Sequence, residues 1–394
     1  MNKKIAFFCG IPVYAKVNEA ILIRPIFRRV GLLAKALKAK GFEVKIFAPT
    51  YEKPAVNTTI EGIEVISVGY TNLPYSPALA GNPSVIRYLL SIFASLKSTQ
   101  KEIKVFAPDV IHVFTTFPYS IITGLYLKLC GHRVFIDIDD AINGQMESNN
   151  VNPLIVALQK FADYRLSRLF SGITVCSEFL KNKTSKKAVI LPNMVGAEMY
   201  VYENRPAKSA GPVTVAMIGS VDGIQGHADI IKFVIPLTLR YCPNLEFVFA
   251  GEGKLLDKMK ALAKDYGCEN KVKFLGYINY KEVIEFLKKA DIGLVPLNSS
   301  TVNLARCPLK MLEYQAAGVA VVATDVGEAR RLNRNMVTAC LMPEEDYERF
   351  AESILLLAQN EILRKEIAHN AYKQIKFFKA DTAVTDWLKY WGIA

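Results

Sequence analysis

The chain lacks the features that hold small secreted proteins or membrane proteins together. Its seven cysteines lie scattered, with no CxxC pair and no histidine cluster beside them, which argues against a disulfide framework or structural zinc site and favours a reducing cytosol. No uncharged apolar stretch reaches the roughly 18 residues that span a bilayer. The nearest, Val113 to Leu127, is interrupted by Thr, Pro, Ser and Gly. We therefore expect a cytoplasmic protein, soluble or peripheral at the inner face of the cell membrane.

Two further absences exclude classes of function. The segment FFCGIPVYAK after the first apolar run lacks the Gly-x-Gly-x-x-Gly pattern that a dinucleotide oxidoreductase needs. Neither an aromatic RNA-binding motif nor helix-turn-helix spacing occurs, so nucleic acid is not an expected partner. The opening segment MNKKIAFFCGIP has an apolar run of about five residues, which is too short for a signal peptide and is typical of a strand that ends at Gly10.

Positive charge is concentrated in the first half of the chain. The formal net charge is +12, and residues 1–205 contain 25 Lys and Arg against 15 Asp and Glu, whereas the remaining residues contain 24 against 22. This asymmetry fits either a solvated, lysine-rich surface or an anionic partner, of which an anionic membrane surface is preferred.

The length and the alternation of sequence patterns predict two α/β domains. A chain of 394 residues suits two cores of similar size. Short apolar runs alternate with helical patterns such as Phe27 to Lys40, which indicates two doubly wound, mostly parallel sheets. The polar stretch from Asn193 to Pro212 is the predicted linker. The predicted strands are Ile5–Cys9, Glu43–Ala48, Glu64–Val68, Val110–Phe114, Val134–Ile138, Gly172–Cys176 and Ala188–Leu191, then Val213–Ile218, Leu245–Phe249, Val272–Leu275, Ile292–Val295 and Val319–Ala323.

The segment CPLKMLEYQAAGVAVVAT, from Cys307 to Thr324, is the most informative of the chain. It predicts a helix started by a proline, carrying one acid at Glu313, turning at Gly318 into an apolar strand. The first N–H groups of such a helix can bind phosphate, and a carboxylate further along can accept from ribose hydroxyls. A plain amphipathic helix before a buried strand is the alternative.

Glycines at predicted strand ends support a ligand site in the second half. Ligands of parallel sheets bind beyond the carboxyl ends of the strands, and three of four such ends carry Gly, which lets backbone approach a ligand closely. These glycines stand in the segments Gly219-Ser220, Gly251-Glu252-Gly253 and Gly276-Tyr277.

The second half resembles the donor-binding domain of retaining GT-B glycosyltransferases of the family-4 type, the glycosyl transferases group 1. The resemblance implies two Rossmann-like domains facing across a cleft: residues 1–200 for the acceptor and 201–375 for the nucleotide sugar. It also implies that the helix 376–394 packs back on the first domain through its aromatic residues, Trp387, Tyr390 and Trp391. The resemblance is carried by AGEG, KVKFLGYI, EVIEFLKKADIGLVPL and PLKMLEYQAAGVAVVATDVGE, and more loosely by LAKALKAKGFEVKIFAP, PDVIHVF, ITVCSEFLKNK and ILPNM.

Residues of the donor site follow from the resemblance only in part. Glu313 matches the second Glu of the family's Glu-x7-Glu motif, which contacts ribose, but the first Glu falls at Ala305, so sugar recognition must differ. Gly219 matches the phosphate loop, whereas its Arg and Lys positions read Ser220 and Gln225. The backbone contacts of the family fall at Leu309 and Lys310 for phosphate, and at Tyr277 and Ile278 for the base.

The two lost cations need a substitute, because a leaving diphosphate requires positive charge. Either Arg306 or Lys310, beside the helix start, is expected to supply it, and His227 could also reach the diphosphate. In the first half, the loop from Gly10 to Pro25 is the predicted acceptor loop, with Tyr14, Lys16, Asn18 and Arg24. The segment Val85 to Phe106 mixes apolar and basic residues, and could lie on a membrane or pack as an ordinary core helix.

Three acids follow one another closely in FIDIDDAING. Asp137 and Asp139 form a DxD pattern that would bind a divalent cation in the other glycosyltransferase fold. In GT-B relatives the same place usually reads His-Asp, so Asp139 replaces the His and Asp140 keeps the Asp. Because clustered like charges cost stability, we expect Asp139 and Asp140 to be functional, with no metal. His112, in a buried strand, is expected to be a core residue.

The resemblance implies a retaining, metal-independent hexosyltransferase with catalytic residues Asp139, Asp140, Lys310 and Glu313. The donor would be a UDP-sugar, or alternatively a GDP-sugar, with no other cofactor, and the acceptor a hydroxyl of a saccharide or lipid-linked molecule in cell-envelope or exopolysaccharide synthesis. A catalytically silent sugar-nucleotide scaffold or sensor is the alternative.

Overall fold

The computed structural model describes residues 3–11, 13, 25–50, 58–60, 62–70, 85–148, 151–206, 211–223 and 225–393, of which 25–27, 70, 85–88 and 148 by backbone only. These residues form two compact units. The first contains the chain up to Asn193 together with Ala305–Cys307 and Ala380–Ala394. The second contains Met194–Leu304 and Pro308–Lys379, so the units separate at the first residue of the predicted linker.

The first unit has a sheet that, over the described residues, contains eight strands in the order β3-β4-β2-β1-β5-β6-β7-β8. All pairings are parallel except β3 with β4. The elements are β1 Lys4–Cys9, α1 Pro25–Ala39, β2 Glu43–Thr50, β3 Thr58–Ile60, β4 Ile63–Tyr70, α2 Val85–Phe106, β5 Val110–Phe114, α3 Pro118–Leu129, β6 Val134–Ile138, α4 Ile142–Ser148, α5 Pro153–Tyr164, a 3₁₀ turn Leu166–Leu169, β7 Gly172–Val175, α6 Glu178–Thr184 and β8 Val189–Ile190.

The second unit has a parallel sheet that, over the described residues, contains six strands in the order β11-β10-β9-β12-β13-β14. A π-helical turn, Ile230–Val234, separates α7 from α8. The elements are β9 Val213–Ile218, α7 His227–Asp229, α8 Ile235–Tyr241, β10 Leu245–Ala250, α9 Leu256–Asp265, β11 Val272–Gly276, α10 Tyr280–Leu287, β12 Ile292–Val295, α11 Thr301–Ala305, α12 Leu309–Ala316, β13 Ala320–Thr324, α13 Gly327–Leu332, β14 Cys340–Met342, α14 Tyr347–Gln359 and α15 Glu361–Ile375.

The central strands of both sheets are buried on both faces, which is expected when helices cover the two faces of a sheet. Every residue of β5, β6, β12 and β13 is buried, which explains why these strands read as continuous apolar runs rather than alternating ones. The core of the second unit gathers side chains such as Met217, Phe247 and Leu294 with Ile354 of α14. The predicted pair of doubly wound parallel sheets is confirmed.

The last helix, α16 Ala380–Trp391, belongs to the first unit. Trp387 and Trp391 are fully buried, and the indole N–H of Trp391 donates to Nδ1 of His112 at 2.9 Å. The guanidinium of Arg29 lies 5.2 Å from the ring centre of Trp387. Burial, with the nearby charge of Arg29, lowers the pKa of His112 to about 3 despite the opposing effect of Asp137. His112 is therefore a neutral core residue, as predicted.

Helix α2 packs against the sheet of the first unit. Ile92 and Ile103 are buried, and the hydroxyl of Ser98 donates to the carbonyl of Val68 in β4 at 2.6 Å. Leu90 and Phe93 remain exposed on the outer face. Within the described ranges, α2 and every other helix are too short or too polar to cross a bilayer.

Candidate active site

The second sheet has a topological switch point between β9 and β12. These strands pair only through Val215 with Ile292 and Ala216 with Gly293, and then diverge. The strand order reverses at this place, since β10 and β11 lie on one side and β13 and β14 on the other. A crevice at the carboxyl ends of such strands is where parallel sheets bind ligands.

Tyr314 of α12 fixes the helix against this divergence. Its hydroxyl accepts from the N–H of Ile218 at 2.8 Å and lies 3.4 Å from the carbonyl of Ala216, so it takes over the hydrogen bonds that a longer pairing with β12 would supply. A Cβ on Gly293 would lie 2.5 Å from the Tyr314 ring. Gly293 is therefore needed for this approach, and Tyr314 is a positioning residue that sequence reasoning missed.

We expect Tyr314→Phe to lower the free energy of unfolding by about 1–3 kcal/mol, because it leaves the buried N–H of Ile218 without its acceptor. Urea denaturation followed by circular dichroism measures this change. Tyr241→Phe, at a side chain that is 65% exposed, is the matched control and should change stability by less than about 0.5 kcal/mol. Equal stability of the two variants would contradict the role given to Tyr314.

The three glycine strand ends of the second unit lie side by side. The N–H of Gly219 donates to the carbonyl of Ala250 at 3.0 Å, and the N–H of Gly251 donates to the carbonyl of Gly276 at 2.8 Å. A Cβ on Gly251 would lie 1.9 Å from the Gly219 oxygen, and Gly251 has φ +154°. No other residue fits there, so three backbone ends line one edge of the sheet. Gly253 is equally constrained, since its Cβ would lie 2.5 Å from the carbonyl oxygen of Val221.

Helix α12 begins beside these strand ends. Its N-cap is Pro308, whose side chain offers no hydrogen-bond acceptor to the first-turn N–H groups of Leu309 and Lys310. The last turn is buried, and Glu313 is only 7% exposed. A buried carboxylate one turn from a helix start is the arrangement that the sequence predicted for ribose and diphosphate.

The two cations that could replace the lost Arg and Lys belong to different units of the structure. A Cβ on Gly219 would lie 3.7 Å from Nζ of Lys310, so this ammonium group stands over the end of β9. Arg306 instead belongs to the first unit, where its charge acts on Asp140. Lys310 thus places a cation over the end of β9, beside the exposed Ser220.

Polar atoms of the altered phosphate loop are buried without protein partners. Among the described residues, Oε1 of Gln225 and both ring nitrogens of His227 have no hydrogen-bond partner. Burial, followed by the charge of Lys310, lowers the pKa of His227 to about 3, so its imidazole is neutral. At the far end of the glycine edge, Tyr277 is 42% exposed and Ile278 partly exposed, so this predicted base contact is accessible.

In the first unit, Asp137 is already engaged. It is fully buried, and its two oxygens accept from Nε and Nη2 of Arg29 at 2.7 and 3.0 Å. The hydroxyl of Thr174 donates to it at 2.5 Å. Arg29 in turn donates to the carbonyl of Leu191 at 2.6 Å. Burial opposes the charge of Arg29, but Asp137 raises the pKa of Arg29 above its ordinary value. A DxD cation site would need this committed carboxylate, and the described residues contain no cluster of three His, Cys, Asp or Glu able to hold a metal.

Asp139 and Asp140 follow at the end of β6 and are both partly exposed. Burial raises the pKa of Asp139 to about 7, with Asp137 and Asp140 adding to the shift and Arg29 opposing it. Burial also raises the pKa of Asp140, against the charge of Arg306 and hydrogen bonds from Ala141 and Gln145. The side-chain amide of Gln145 donates to Asp140 at 2.6 Å.

A rise in activity with pH is expected if Asp139 must be ionised. With a pKa of about 7, roughly a tenth of the carboxyl is ionised at pH 6 and nine-tenths at pH 8, so kcat/KM should rise about ninefold. The effect of Asp139 on the free energy of unfolding has the opposite sign. Between about pH 4 and pH 7 the folded state keeps a proton on Asp139 that the unfolded state has already lost, so the protein loses stability as the pH rises through this range. Asp139→Asn should flatten both profiles, whereas Asp386→Asn, at an exposed side chain of α16, should flatten neither. A wild-type profile that is unchanged in Asp139→Asn would contradict this assignment.

Ala305 occupies the position where the first Glu of the motif would fall. It is fully buried, and its carbonyl accepts from the hydroxyl of Ser177 at 2.6 Å and from the thiol of Cys176 at 3.2 Å. The side-chain amide of Asn193 donates to the carbonyl of Cys307 at 2.7 Å. A glutamate at position 305 would place a longer, charged side chain at a fully buried position.

Gly10 ends β1, also at a switch point, because the neighbours of β1 are β2 on one side and β5 on the other. Its N–H donates to the hydroxyl of Ser120 at 3.1 Å, and a Cβ there would lie 2.4 Å from that oxygen. Thr115, directly after β5, has φ +66°, an unusual conformation for a β-branched residue. The predicted acceptor-loop residues Tyr14, Lys16, Asn18 and Arg24 lie outside the described residues.

Two protein-family models match the chain. Residues 202–374 match the family described as Glycosyl transferases group 1, and residues 26–188 match the Glycosyl transferase 4-like domain. Each half of the chain therefore matches a glycosyltransferase domain model, and the two parallel sheets have the arrangement of the GT-B fold. The predicted GT-B fold is thereby confirmed.

Curated glycosyltransferases are similar to parts of the chain. The chain is 30% identical over 117 residues to the amylovoran biosynthesis glycosyltransferase AmsK of Erwinia amylovora, covering 29% of each chain. It is 27% identical to one component of the phosphatidylinositol N-acetylglucosaminyltransferase of Arabidopsis thaliana, over 64% of this chain and 54% of that one. The chain therefore spans only part of the length of these relatives.

Solved structures share the fold over almost the whole chain. Sucrose-phosphate synthase from Thermosynechococcus elongatus superimposes with a TM-score of 0.74 at 14% identity, covering 99% of this chain and 98% of that one. Anabaena HepE in complex with UDP and glucose gives a TM-score of 0.71 at 14% identity, with full coverage of both chains.

Proposed function

We propose that the protein is a retaining hexosyltransferase that moves a hexose from a nucleotide-diphosphate sugar to a hydroxyl of a saccharide or lipid-linked acceptor. The observation that carries this proposal is the edge of the second sheet, where Gly219, Gly251 and Gly276 lie side by side and Nζ of Lys310 stands over Gly219. Glu313, buried in the same helix as Lys310, supplies a ribose acceptor. A UDP-sugar is preferred, with a GDP-sugar as the alternative; the complexes of HepE with UDP support this preference.

The proposed reaction needs no metal ion and no basic side chain to activate the acceptor. A phosphate oxygen of the departing diphosphate takes the proton of the acceptor hydroxyl, while the bond from the anomeric carbon to the phosphate breaks and the new glycosidic bond forms on the same face. Lys310 stabilises the negative charge that grows on the diphosphate. Asp139, when ionised, accepts from a sugar hydroxyl and favours positive charge at the anomeric carbon.

Cell-envelope or exopolysaccharide synthesis is the proposed setting, in the cytoplasm or peripherally at the membrane. The similarity to an amylovoran glycosyltransferase and to a component of a phosphatidylinositol glycosyltransferase supports a glycan or glycolipid product.

Release of free nucleotide from a panel of nucleotide sugars, with and without EDTA, tests the proposal. We expect turnover with a UDP-hexose or GDP-hexose that EDTA does not change, and an α-linked product from an α-linked donor by NMR. EDTA-sensitive turnover would contradict the metal-independent reaction, and an inverted product would contradict retention. A thermal-shift comparison of UDP, GDP and ADP identifies the base, because a bound ligand raises the unfolding temperature.

The altered motif favours one second candidate, a sugar-nucleotide sensor without turnover. Ala305 lacks the carboxylate that touches the transferred sugar in the family, and Ser220 and Gln225 replace two cations. Two results together would establish this alternative. A nucleotide sugar would raise the unfolding temperature, and no nucleotide would be released over many hours even when every acceptor class is offered.

A further inference from the structure

Helix α5 of the first unit exposes an unusual line of apolar side chains. Leu154, Leu158 and Phe161 are 69%, 63% and 54% exposed. Their spacing of four and three residues places them on one face of the helix. The opposite face carries the buried residues Val156, Gln159 and Asp163. Helix α5 is therefore anchored in the fold, and its apolar line points outward.

Positive charge is concentrated in the part of the sequence that contains this line. Residues 151–187, all of them described, contain seven Lys and Arg against two acids, and one of these acids, Asp163, is fully buried. Half of the excess positive charge of the first 205 residues therefore lies in this short stretch. The exposed cations are Lys160, Arg165, Arg168, Lys183, Lys186 and Lys187.

The apolar line and the lysines belong to one continuous surface. Nε of Arg168, in the 3₁₀ turn after α5, donates to the carbonyl of Thr184 at the end of α6 at 2.6 Å. Its neighbour Leu169 is 54% exposed. The hydrogen bond joins the end of the apolar line to the helix that carries Lys183 and precedes Lys186. We call these residues the α5 surface: Leu154, Leu158, Phe161, Leu169, Lys183, Lys186 and Lys187.

A cleft of about 460 Å³ opens beside the same helix. Apolar side chains line it, and the ion pair between Glu147 of α4 and Lys160 of α5, 2.6 Å long, stands at its edge. Helix α4 begins at Ile142, directly after the strand end that carries Asp139 and Asp140. The lining residues are Glu147, Val151, Pro153, Val156, Ala157 and Lys160.

We propose that the α5 surface docks on an anionic lipid bilayer, with the apolar line inserted among the lipids and the lysines against their headgroups. An apolar helix face with flanking cations is what binds a membrane interface, and either part alone would be an ordinary surface feature. Exposed apolar patches mark interaction sites, and the cations select a negatively charged partner. On the proposed function, the bilayer would bring a lipid-linked acceptor next to Asp139 and Asp140; the docking itself does not depend on that function.

Co-sedimentation of the purified full chain with vesicles tests the docking. We expect binding to vesicles of phosphatidylcholine with phosphatidylglycerol, weaker binding to pure phosphatidylcholine, and loss with added salt because salt screens the charges. The double variant Leu158→Glu, Phe161→Glu should bind at least tenfold more weakly. The triple variant Lys183→Ser, Lys186→Ser, Lys187→Ser should bind more weakly and lose most of the salt dependence.

Ile362→Glu is the matched control, because Ile362 is an 81% exposed apolar residue of the second unit; it should bind like the wild type. All substituted side chains are exposed, and thermal unfolding checks that each variant is folded. Absence of wild-type binding to anionic vesicles, or equal binding by the α5 variants, would overturn the proposal. The proposal would also be overturned if the double variant Leu90→Glu, Phe93→Glu of α2 lost vesicle binding while the α5 variants bound vesicles fully.

A second copy of the chain is the other possible occupant. Light scattering decides this: a wild-type dimer that becomes monomeric in Leu158→Glu, Phe161→Glu, with unchanged vesicle binding, would overturn membrane docking and assign the surface to self-association. None of these measurements uses transferase activity. A failed docking test therefore leaves the proposed function standing, and a failed activity test leaves the docking standing.

Discussion

Lys310→Met is expected to lower kcat/KM by roughly 10²- to 10³-fold, because it removes the cation that faces the leaving diphosphate. The prediction follows from one contact: Nζ of Lys310 stands over Gly219, where two family cations are replaced by Ser220 and Gln225. Steady-state kinetics with the donor identified in the panel measures the effect. Lys260→Met, at a half-exposed lysine of the same unit, is the matched control and should retain wild-type activity.

A restored arginine sharpens this test. If Lys310 substitutes for the lost Arg, then Ser220→Arg in the Lys310→Met background should recover at least tenfold of the lost rate, since it returns a cation to the exposed end of β9. Arg306→Met distinguishes the other candidate. Near wild-type activity in Lys310→Met together with a strong loss in Arg306→Met would assign the cation to Arg306 and contradict the role given to Lys310.

Glu313→Ala is expected to weaken nucleotide binding by roughly 10²- to 10⁴-fold, since two hydrogen bonds to a carboxylate contribute about 1.5–3 kcal/mol each. Calorimetric titration with UDP measures the change. Glu361→Ala, at an exposed carboxylate of the same unit, should leave the affinity unchanged. Unchanged affinity in Glu313→Ala would remove the basis of the proposed donor site.

Removing hydroxyl groups from the ligand isolates the contact. The wild type should bind UDP that lacks both ribose hydroxyls as weakly as Glu313→Ala binds ordinary UDP. Glu313→Ala itself should bind the two ligands with the same affinity. Such a cycle attributes the loss to the pairing of Glu313 with ribose rather than to a general disturbance of α12. Additive losses would show that Glu313 acts elsewhere.

Much of the fold could be predicted from the sequence, because it depends on local patterns. Buried parallel strands read as apolar runs, and glycines with constrained geometry, such as Gly219 and Gly251, stand at their ends. Strand β3, which pairs antiparallel with β4, was not predicted from the sequence. Its three residues are too few to show the alternation of apolar and polar side chains by which a strand is recognised. Strand β14 is equally short.

The polar contacts of the site could not be predicted in the same way. Arg29 and Asp137 are separated by 108 residues, and Tyr314 and Ile218 by 96. No spacing rule joins such residues, because the sheet brings them together only after every strand has found its partner. The hydrogen bond from Gln145 to Asp140 was easier to predict from the sequence, because Gln145 follows Asp140 by only five residues, little more than one helical turn.

The hydrogen bond from Trp391 to His112 affects how the protein is made. The core of the first unit is built from strands translated early, yet Trp387 and Trp391, which are fully buried in it, leave the ribosome only after the whole second unit has been synthesised. Domains generally fold in order of synthesis, but here we expect the earlier one to stay incompletely packed until the last helix arrives, with His112 and its aromatic neighbours uncovered. A nascent chain halted before residue 380 should therefore depend on chaperones, although every strand of its first sheet is already present.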